Sequence, residues 1–300
     1  MSHKPGDWWD QSYSPIEGCT PISEGCNRCW AQSFLRRFRG DTGVHLFPER
    51  LDQPLRWRKP RRVFVAPLGD LFHEQVPFEF VDRVFASMVS GSWAGSHRWV
   101  LLTKRPERML AYITETPIGR AGYIEHHARH LEAERGSPVP TGRRLEWPFP
   151  HLWVGVSAED QKRADERTAI LRRISAAIHW LSLEPLLGPI RADFTDIEWV
   201  VVGGETGPGA RPMHPQWVRD IRNQCVAAGV PFWFKSWGEW IPSDQAGMSA
   251  RLGRTEWVAL DGNPVDIPGS ALNRQVQLVI RVGHKRAGRL LDGQTWEEKP

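Results

Sequence analysis

Several features that mark other classes of protein are missing from the sequence. It contains no apolar run of about 18 residues, so no transmembrane helix is predicted. Its start, MSHKPGD, holds no apolar stretch of the kind that a secretory signal needs, and we therefore expect a cytoplasmic protein. Lys and Arg outnumber Asp and Glu by only 39 − 35 = 4, unlike a histone-like tail. With 40% hydrophobic and 25% charged residues, the composition is that of a globular protein.

Cysteine is scarce, with four residues, yet three of them lie within eleven positions: Cys19, Cys26 and Cys29. In a reducing compartment such a group predicts metal or cluster ligation rather than a disulfide framework. Structural zinc needs four closed ligands, so zinc would require His45 or His3 as the fourth. An iron–sulfur cubane held by three thiolates instead leaves one iron open to a ligand. The spacing leaves both alternatives open.

Short apolar runs, most of them separated by segments of helical periodicity, recur along the chain. They are continuous rather than alternating, which is typical of parallel strands buried on both faces. We therefore predict an α/β fold, a full or partial (β/α) barrel with parallel strands. These runs predict strands at residues 63–66, 99–102, 152–156, 178–181, 199–202 and 232–234. A seventh strand is expected at residues 11–16, before the cysteines, and one more at 276–282.

The segments between the strands carry helical patterns with predicted ends. Gly91 and Gly229 are the expected stops of two amphipathic helices, because glycine tolerates the conformation that ends a helix. Ser157 and Asp160 are expected to form a capping box at the start of a third. The predicted helices cover residues 30–38, 80–89, 157–171 and 218–228.

The predicted domain organisation follows from where this rhythm is interrupted. Residues 115–150, rich in His, Arg, Gly and Pro, are expected to be an insertion. We expect a (β/α) barrel-like catalytic domain at residues 1–240, with the cysteine loop at 17–30. Residues 241–300 are expected to be a C-terminal extension packed on the barrel.

Polar and charged residues follow nearly every predicted strand. Because the carboxyl ends of parallel strands share one edge, where ligands bind in such folds, we expect these side chains to form one site. In chain order they are Gly69, Asp70, His73, Glu74, Thr103, Lys104, Arg105, Ser157, Glu159, Asp160, Glu184, Gly203, Gly204, Glu205 and Lys235.

Eight segments spread over almost the whole chain carry a family resemblance. They are GCTPISEGC at 18–26, GDLFHE at 69–74, LTKRPER at 102–108, GVSAED at 155–160, EPLLGP at 184–189, GGETGPGARPMH at 203–214, FKSWG at 234–238 and RVGHKRAGRLLDG at 281–293. Together they resemble a phage-associated family named for its three-cysteine motif. The cysteine loop also resembles that of the radical S-adenosylmethionine superfamily, whose usual C-x3-C-x2-C is C-x6-C-x2-C here.

The superfamily resemblance implies a cofactor set and residues that hold it. Cys19, Cys26 and Cys29 would bind a [4Fe-4S] cluster, and S-adenosyl-L-methionine would chelate its open iron. An electron donor would reduce the cluster, and the cofactor would then yield a 5′-deoxyadenosyl radical. The strand-end residues that would contact the cofactor are Gly69, Asp70, Ser157 and Glu184.

The charges at the same edge suit an anionic substrate. Lys104, Arg105, Arg211, His214 and Lys235 would make the mouth of the site positive. We expect catalytic roles for Lys104, Glu205, His214 and Lys235.

Two further basic segments are candidates for holding phosphate. The run at 56–62 includes Trp57 and would suit a nucleic-acid backbone, although it also suits a solvated loop. The segment at 284–289 would serve as a lid or phosphate clamp. Of the 16 Trp, most are assigned to strands, whereas Trp30, Trp237 and Trp240 are candidates for base stacking.

The expected substrate is therefore a nucleic acid or nucleotide, in DNA modification or photoproduct repair. A phage-encoded partner protein is implied by the resemblance, and no membrane association is expected. One alternative is a non-redox nucleic-acid-binding barrel with a structural metal at the cysteine loop. The other is a metal-dependent nuclease that uses Asp70, His73 and Glu74.

Overall fold

The computed structural model describes residues 8–114, 119–134, 136, 145–246, 253–263, 265 and 275–300. Its strands are β1 (Gln11–Tyr13), β2 (Ile16–Glu17), β3 (His45–Leu46), β4 (Arg62–Val65), β5 (Arg98–Thr103), β6 (Leu152–Ser157), β7 (Ile178–Leu183), β8 (Trp199–Gly203), β9 (Phe232–Ser236), β10 (Trp240–Pro242), β11 (Thr255–Ala259) and β12 (Val276–Arg281). Its α-helices are α1 (Trp30–Phe38), α2 (Phe78–Gly95), α3 (Pro106–Thr114), α4 (Gly119–Glu134), α5 (Gln161–Leu171), α6 (Pro215–Ala228) and α7 (His284–Ala287).

Seven strands form one parallel sheet in the order β1-β4-β5-β6-β7-β8-β9. All seven strands predicted in the barrel region contribute to it, and consecutive strands lie side by side. The order confirms the predicted α/β class and the sequential winding of a partial (β/α) barrel. The first strand is shorter than predicted, because β2 leaves the sheet and pairs antiparallel with β3. The predicted strand at 276–282 is also confirmed, as β12 lies between β10 and β11 in a small antiparallel sheet.

The prediction that Gly91 ends its helix is wrong. The helix α2 continues to Gly95 and is followed by Ser96 in the left-handed conformation, with φ 53°. A Cβ on Gly91 would lie 3.0 Å from a ring carbon of Trp99 and 3.1 Å from Cβ of Pro54. Glycine therefore serves close packing at this position. The predicted stop at Gly229 is confirmed, as this residue has φ 67° directly after α6.

The predicted capping box is also wrong. Ser157 is the last residue of β6, and its hydroxyl donates to the carbonyl of Glu184 at 3.0 Å. Asp160 caps α5 alone, since its Oδ1 accepts from the backbone N–H of Arg163 at 2.8 Å. Ser157 is thereby free of the capping role and belongs to the polar edge of the sheet.

Within the predicted insertion the structure contains a helix that the sequence patterns did not predict. This helix, α4, is tied to α2 by two polar contacts: Ser90 donates to the buried Glu132 carboxylate, and Arg120 Nη1 lies 3.0 Å from Asp82 Oδ2. The stretch at 115–150 is thus attached to the fold through at least one packed helix.

The chain divides into two compact units. The first takes in the described residues of Met1–Pro21, Ala31–Val156 and Ala169–His179, and the second those of Ile22–Trp30, Ser157–Thr168 and Trp180–Pro300. Large apolar side chains fill each core. Examples are Phe72, Phe85 and Trp99 in the first unit and Trp180, Trp199, Phe232 and Phe234 in the second. The predicted boundary at residue 240 stays a prediction.

The edge of the sheet at β9 is covered by the C-terminal segment of the second unit. Phe234 N donates to Trp296 O at 3.0 Å, and Glu298 N donates to Phe232 O at 3.2 Å. Pairing of this kind protects an edge strand from association with other chains. Among the described residues, no helix is long and apolar enough to cross a membrane.

The loops that follow β8 and β9 pack backbone against backbone, and this contact predicts the effect of a glycine substitution. Gly238 has φ 75°, and a Cβ there would overlap the carbonyl oxygen of Glu205. We expect Gly238→Ala to lower the free energy of unfolding by about 3 kcal/mol, from left-handed strain plus overpacking. Gly293→Ala is the matched control, because Gly293 has φ 82° but no described atom within 4 Å of the added Cβ. Urea denaturation should show a loss of only about 1 kcal/mol for this control, and equal losses would contradict the account.

Candidate functional site

In the first unit, a buried carboxylate joins the loops that follow β4 and β5. Asp70 is 5% exposed, and its Oδ1 accepts from Phe72 N at 3.0 Å and Thr103 Oγ1 at 2.7 Å. Its Oδ2 accepts from Lys104 N at 3.2 Å and Arg105 Nη1 at 3.3 Å. A carboxylate has about four lone-pair sites, so these four donors satisfy it. Asp70 therefore fixes the ends of two neighbouring strands.

Arg105 connects this network to the start of the cysteine loop. Its Nη1 donates to Cys19 Sγ at 3.2 Å, and its Nη2 donates to the carbonyl and hydroxyl oxygens of Thr20, both at 3.0 Å. Its Nε donates to Glu74 Oε1 at 3.0 Å. Arg105 is 4% exposed, and each of its three guanidinium nitrogens makes a hydrogen bond inside the protein.

The electrostatics of this group favour charge on both partners. Burial lowers the pKa of Arg105, but the negative charges of Asp70 and Cys19 outweigh burial and hold the pKa above its usual value. A guanidinium beside a thiol favours the thiolate, which is the form that binds metals and clusters. Cys19 is thus placed in an environment suited to ligation.

His73 belongs to the same cluster but has both ring nitrogens engaged. Nδ1 accepts from Gln75 N at 3.1 Å, and Nε2 is hydrogen-bonded to Thr20 Oγ1 at 2.8 Å. Burial, followed by the charge of Arg105, lowers the pKa of His73 and keeps the ring neutral at neutral pH. Among the residues that the structure describes, no group of three or more His, Cys, Asp or Glu side chains is arranged to hold a metal ion. His3 lies outside the described residues.

In the second unit, a buried carboxylate holds the turn that carries Cys26. Residues 24–26 form a short 3₁₀ helix, and Cys29 N donates to Cys26 O at 3.2 Å. The backbone N–H of Gly25 donates to Glu159 Oε1 at 3.2 Å. Glu159 is fully buried and is paired with Arg167 at 3.1 Å. A Cβ on Gly25 would lie 3.0 Å from the Glu159 carboxyl carbon, so glycine permits this close approach.

Arg211 holds the same turn from another side. Its guanidinium makes a two-point contact with Glu205, at 2.9 Å from Nε to Oε2 and 2.6 Å from Nη2 to Oε1. Nη2 also donates to the carbonyl of Glu24 at 2.9 Å. The hydrogen bond to Glu205 is the main reason why the pKa of Arg211 is raised. Arg28 adds a further link, because its Nη1 donates to Gly209 O.

A second polar group of this unit lies at the ends of β7 and β9. Lys235 Nζ lies 2.7 Å from Glu184 Oε2, and Ser182 Oγ donates to Glu184 Oε1 at 3.2 Å. A Cβ on Gly203 would lie 2.9 Å from the same carboxylate, so the absence of a side chain makes room for it. With the Ser157 hydroxyl on the Glu184 carbonyl, three predicted site residues meet here.

His214 caps α6. Its Nδ1 accepts from Gln216 N at 3.0 Å, and its ring lies beside Trp217, with centroids 5.8 Å apart. Burial, followed by the charge of Arg219, lowers the pKa of His214 to about 4. At neutral pH the ring is therefore neutral, and the lone pair of Nδ1 is used by the helix.

Two of the tryptophans proposed for base stacking are not accessible, which corrects that prediction. Trp237 is 1% exposed and donates from Nε1 to Leu290 O at 2.8 Å. Trp240 is 3% exposed and donates to Ala210 O at 2.8 Å. Both indoles lie in the core of the second unit. Their N–H groups tolerate burial because each donates to a loop carbonyl. Trp30, by contrast, is 44% exposed.

The structure thus distributes the predicted site residues over the two units. Cys19, Gly69, Asp70 and Lys104 belong to the first unit, whereas Cys26, Cys29, Ser157, Glu184, Glu205, His214 and Lys235 belong to the second. Arg105, Glu159 and Arg211 were expected at the charged strand ends, and the structure gives each of them buried or half-buried partners. The prediction omitted Arg167, which pairs with Glu159, because it lies inside a helix pattern and carries no signal of its own.

Comparison of the sequence with known proteins places the chain in a family. The fold is a parallel α/β sheet whose strand-end loops hold a cysteine-bearing segment. The chain belongs to the family described as DUF5131, protein of unknown function, whose model matches residues 5–300. No curated protein and no solved structure matches it.

Removal of the guanidinium from Arg105 should destabilise the first unit. We expect Arg105→Met to lower the free energy of unfolding by about 3 kcal/mol, because the buried Asp70 carboxylate would lose its counter-charge. Arg105→Lys retains the charge and is the control, with a smaller loss since lysine cannot reproduce the fork of hydrogen bonds. Urea denaturation monitored by tryptophan fluorescence measures both, and an unchanged stability of Arg105→Met would contradict this role.

The cap at His214 predicts a dependence of stability on pH. A histidine whose pKa falls from 6.5 to about 4 on folding binds its proton only in the unfolded state between those values. Stability is therefore complete above pH 6.5 and is lost as the pH falls towards 4. His214→Asn keeps a capping oxygen but cannot titrate, so at pH 5 the wild type should lose about 2 kcal/mol more than this variant, relative to pH 7.5. Parallel urea titrations at the two pH values test this, and equal losses would refute it.

Proposed function

We propose that the protein is a radical S-adenosylmethionine-like [4Fe-4S] enzyme that acts on a nucleic acid or nucleotide. The proposal rests chiefly on the contact between the Arg105 guanidinium and Cys19 Sγ at the ends of β4 and β5. It also draws on the resemblance of the cysteine loop to that superfamily and of eight segments to the phage-associated three-cysteine-motif family. The guanidinium favours the thiolate of the first cysteine, which is the form that binds a cluster.

The donor set has the chemistry that a cluster needs. Cys19, Cys26 and Cys29 supply three thiols within eleven residues, and the guanidinium beside Cys19 favours its thiolate. A cluster distributes its thiolates over several irons, so its ligands need not converge on one ion. When bound, the cluster would supply the electron that cleaves S-adenosyl-L-methionine to a 5′-deoxyadenosyl radical.

The residues of the chain would bind and orient the cofactor and substrate and would exclude water from the site. Gly69, Asp70, Ser157 and Glu184 are proposed to form the cofactor side of the site. The Asp70 carboxylate already accepts four hydrogen bonds. The cofactor would therefore contact the backbone that Asp70 holds in place, not the carboxylate itself. Such preorganised hydrogen bonding is the protein's contribution in a cofactor enzyme.

Four residues are proposed to be catalytic, and they differ in which of their polar atoms are already hydrogen-bonded. They are Lys104, Glu205, His214 and Lys235. Glu205 is 5% exposed and is held by Arg211, so it would act by fixing the loop after β8. His214 would act as a neutral imidazole through Nε2, because Nδ1 is used in capping. Lys104 would contribute positive charge for an anionic substrate, and Lys235 would act within its ion pair with Glu184, whose Oε2 lies 2.7 Å from Nζ.

The biological setting belongs to the same proposal. We place the reaction in DNA modification or photoproduct repair, in the cytoplasm, with an electron donor and a phage-encoded partner protein. This setting is supported by the family resemblance and by the cationic residues at the strand ends.

Substitution of the cysteines tests the cluster directly. Protein purified or reconstituted anaerobically should be brown, should contain about four iron and four sulfide per chain, and should cleave S-adenosyl-L-methionine when reduced. Cys26→Ala should lose most of the iron and all cleavage, with little change in far-UV circular dichroism. Cys225→Ala is the matched control, because Cys225 is fully buried on α6, outside the motif. It should keep its iron.

A colourless wild type that carries one zinc per chain would overturn the proposal. Unfolding of Cys26→Ala on loss of that zinc would instead support the structural-metal alternative.

A further inference from the structure

We propose that the turn at residues 281–290 contacts the phosphate backbone of a nucleic acid. The turn carries His284, Lys285 and Arg286 in the short helix α7, and all three are exposed. The inference rests on the nucleic-acid substrate of the proposed function and identifies a part of the chain that would hold it.

The first half of the turn is fixed to the loops that follow β8 and β9. Arg281 Nη2 donates to the carbonyl of Gly207 at 2.9 Å. The backbone N–H groups of Val282 and Gly283 donate to the carbonyl of Glu239 at 3.0 and 3.1 Å. Three hydrogen bonds therefore hold the chain immediately before α7 against these two loops.

The second half of the turn is fixed to the same loops. Trp237 N donates to Gly288 O at 3.0 Å, and the Trp237 indole donates to Leu290 O at 2.8 Å. Because Trp237 follows the end of β9 directly, α7 is held at both ends beside the carboxyl ends of the strands. The same edge bears Glu205 and Lys235, so the turn lies beside the proposed reaction site.

The charge of the turn is unbalanced. Within the described part of the chain, the side chains of His284, Lys285 and Arg286 make no hydrogen bond or ion pair, whereas Arg211 of the same unit is paired with a carboxylate. The neighbouring carboxylate of Glu239 accepts from Gly207 N at 3.0 Å through Oε1, and its Oε2 would lie 3.9 Å from a Cβ on Gly283. Adjacent exposed cations on a rigid backbone repel each other, and an anionic ligand relieves this repulsion.

A row of exposed cations suits an extended polyanion better than a small anion. A nucleic-acid strand presents one phosphate per nucleotide, so consecutive phosphates reach Lys285 and Arg286 together. Each contact releases condensed counterions, which makes the binding strongly dependent on salt. The turn would thereby hold the backbone while the strand-end residues act on a base or sugar.

The double variant Lys285→Ala/Arg286→Ala tests this surface. The full-length protein, purified anaerobically, is titrated into a fluorescent single-stranded or duplex DNA of about 20 nucleotides at several salt concentrations. We expect the slope of log K against log salt to fall by about 1.8, which is two phosphate contacts, and the affinity at 0.1 M salt to fall by about 60-fold. Circular dichroism should be unchanged because both side chains are exposed.

The control is Arg36→Ala/Arg37→Ala, which removes the same two positive charges from the exposed last turn of α1. It should change the affinity by less than about twofold. An equal loss in both double variants would show that only net charge matters and would overturn the inference. Absence of DNA binding by the wild type would also overturn the inference. A wild type that binds a nucleoside monophosphate but not the DNA would overturn it as well.

Measurements on cluster-free and cluster-loaded protein separate the two proposals. Oligonucleotide binding that depends on Lys285 and Arg286 in protein that never takes up iron would support this inference and refute the cluster. Iron, sulfide and cofactor cleavage without such binding would support the enzyme and refute the contact site.

Discussion

The buried pair of Asp70 and Arg105 is the interaction on which the first unit's candidate site depends. Both residues are about 5% exposed, and neither charge would be tolerated there alone. Four donors satisfy the Asp70 carboxylate, and two of them are backbone N–H groups from the loops after β4 and β5. The same guanidinium then binds the Cys19 thiol and the Thr20 backbone. Strand ends and cysteine loop are thereby held by one ionic contact.

The second unit uses the same principle with other residues. Its buried carboxylates, Glu159 and Glu205, are each paired with an arginine, and these groups bind the backbone of the turn that carries Cys26. In both units, the buried carboxylate–arginine pairs at the strand ends bind and orient backbone groups. A reactive site benefits from this arrangement, because loops fixed before a ligand binds need no ordering afterwards.

The fold was largely predictable because its signals are local. Continuous apolar runs predicted six strands of the parallel sheet, the position before the cysteines predicted the seventh, β1, and spacing predicted the end of α6 at Gly229. The failures have a common physical cause. Gly91, at the predicted helix stop, makes room for Pro54 inside a longer helix, and Ser157, at the predicted cap, binds Glu184. Trp237 and Trp240 were assigned to an accessible surface, yet both are buried under distant backbone carbonyls. In each case the deciding neighbour is far away in the chain.

Patterns within the chain sufficed for the α/β class, the strand order, the cysteine loop and the edge of the sheet at which polar residues gather. They suffice because hydrophobic periodicity and the common direction of parallel strands act over short segments. The partners of the charged residues were decided only in three dimensions. Arg105 selects Asp70, Glu74 and Cys19, and Arg211 selects Glu205 and Glu24, because burial makes an unpaired charge prohibitively unfavourable and the folded chain offers few partners within reach.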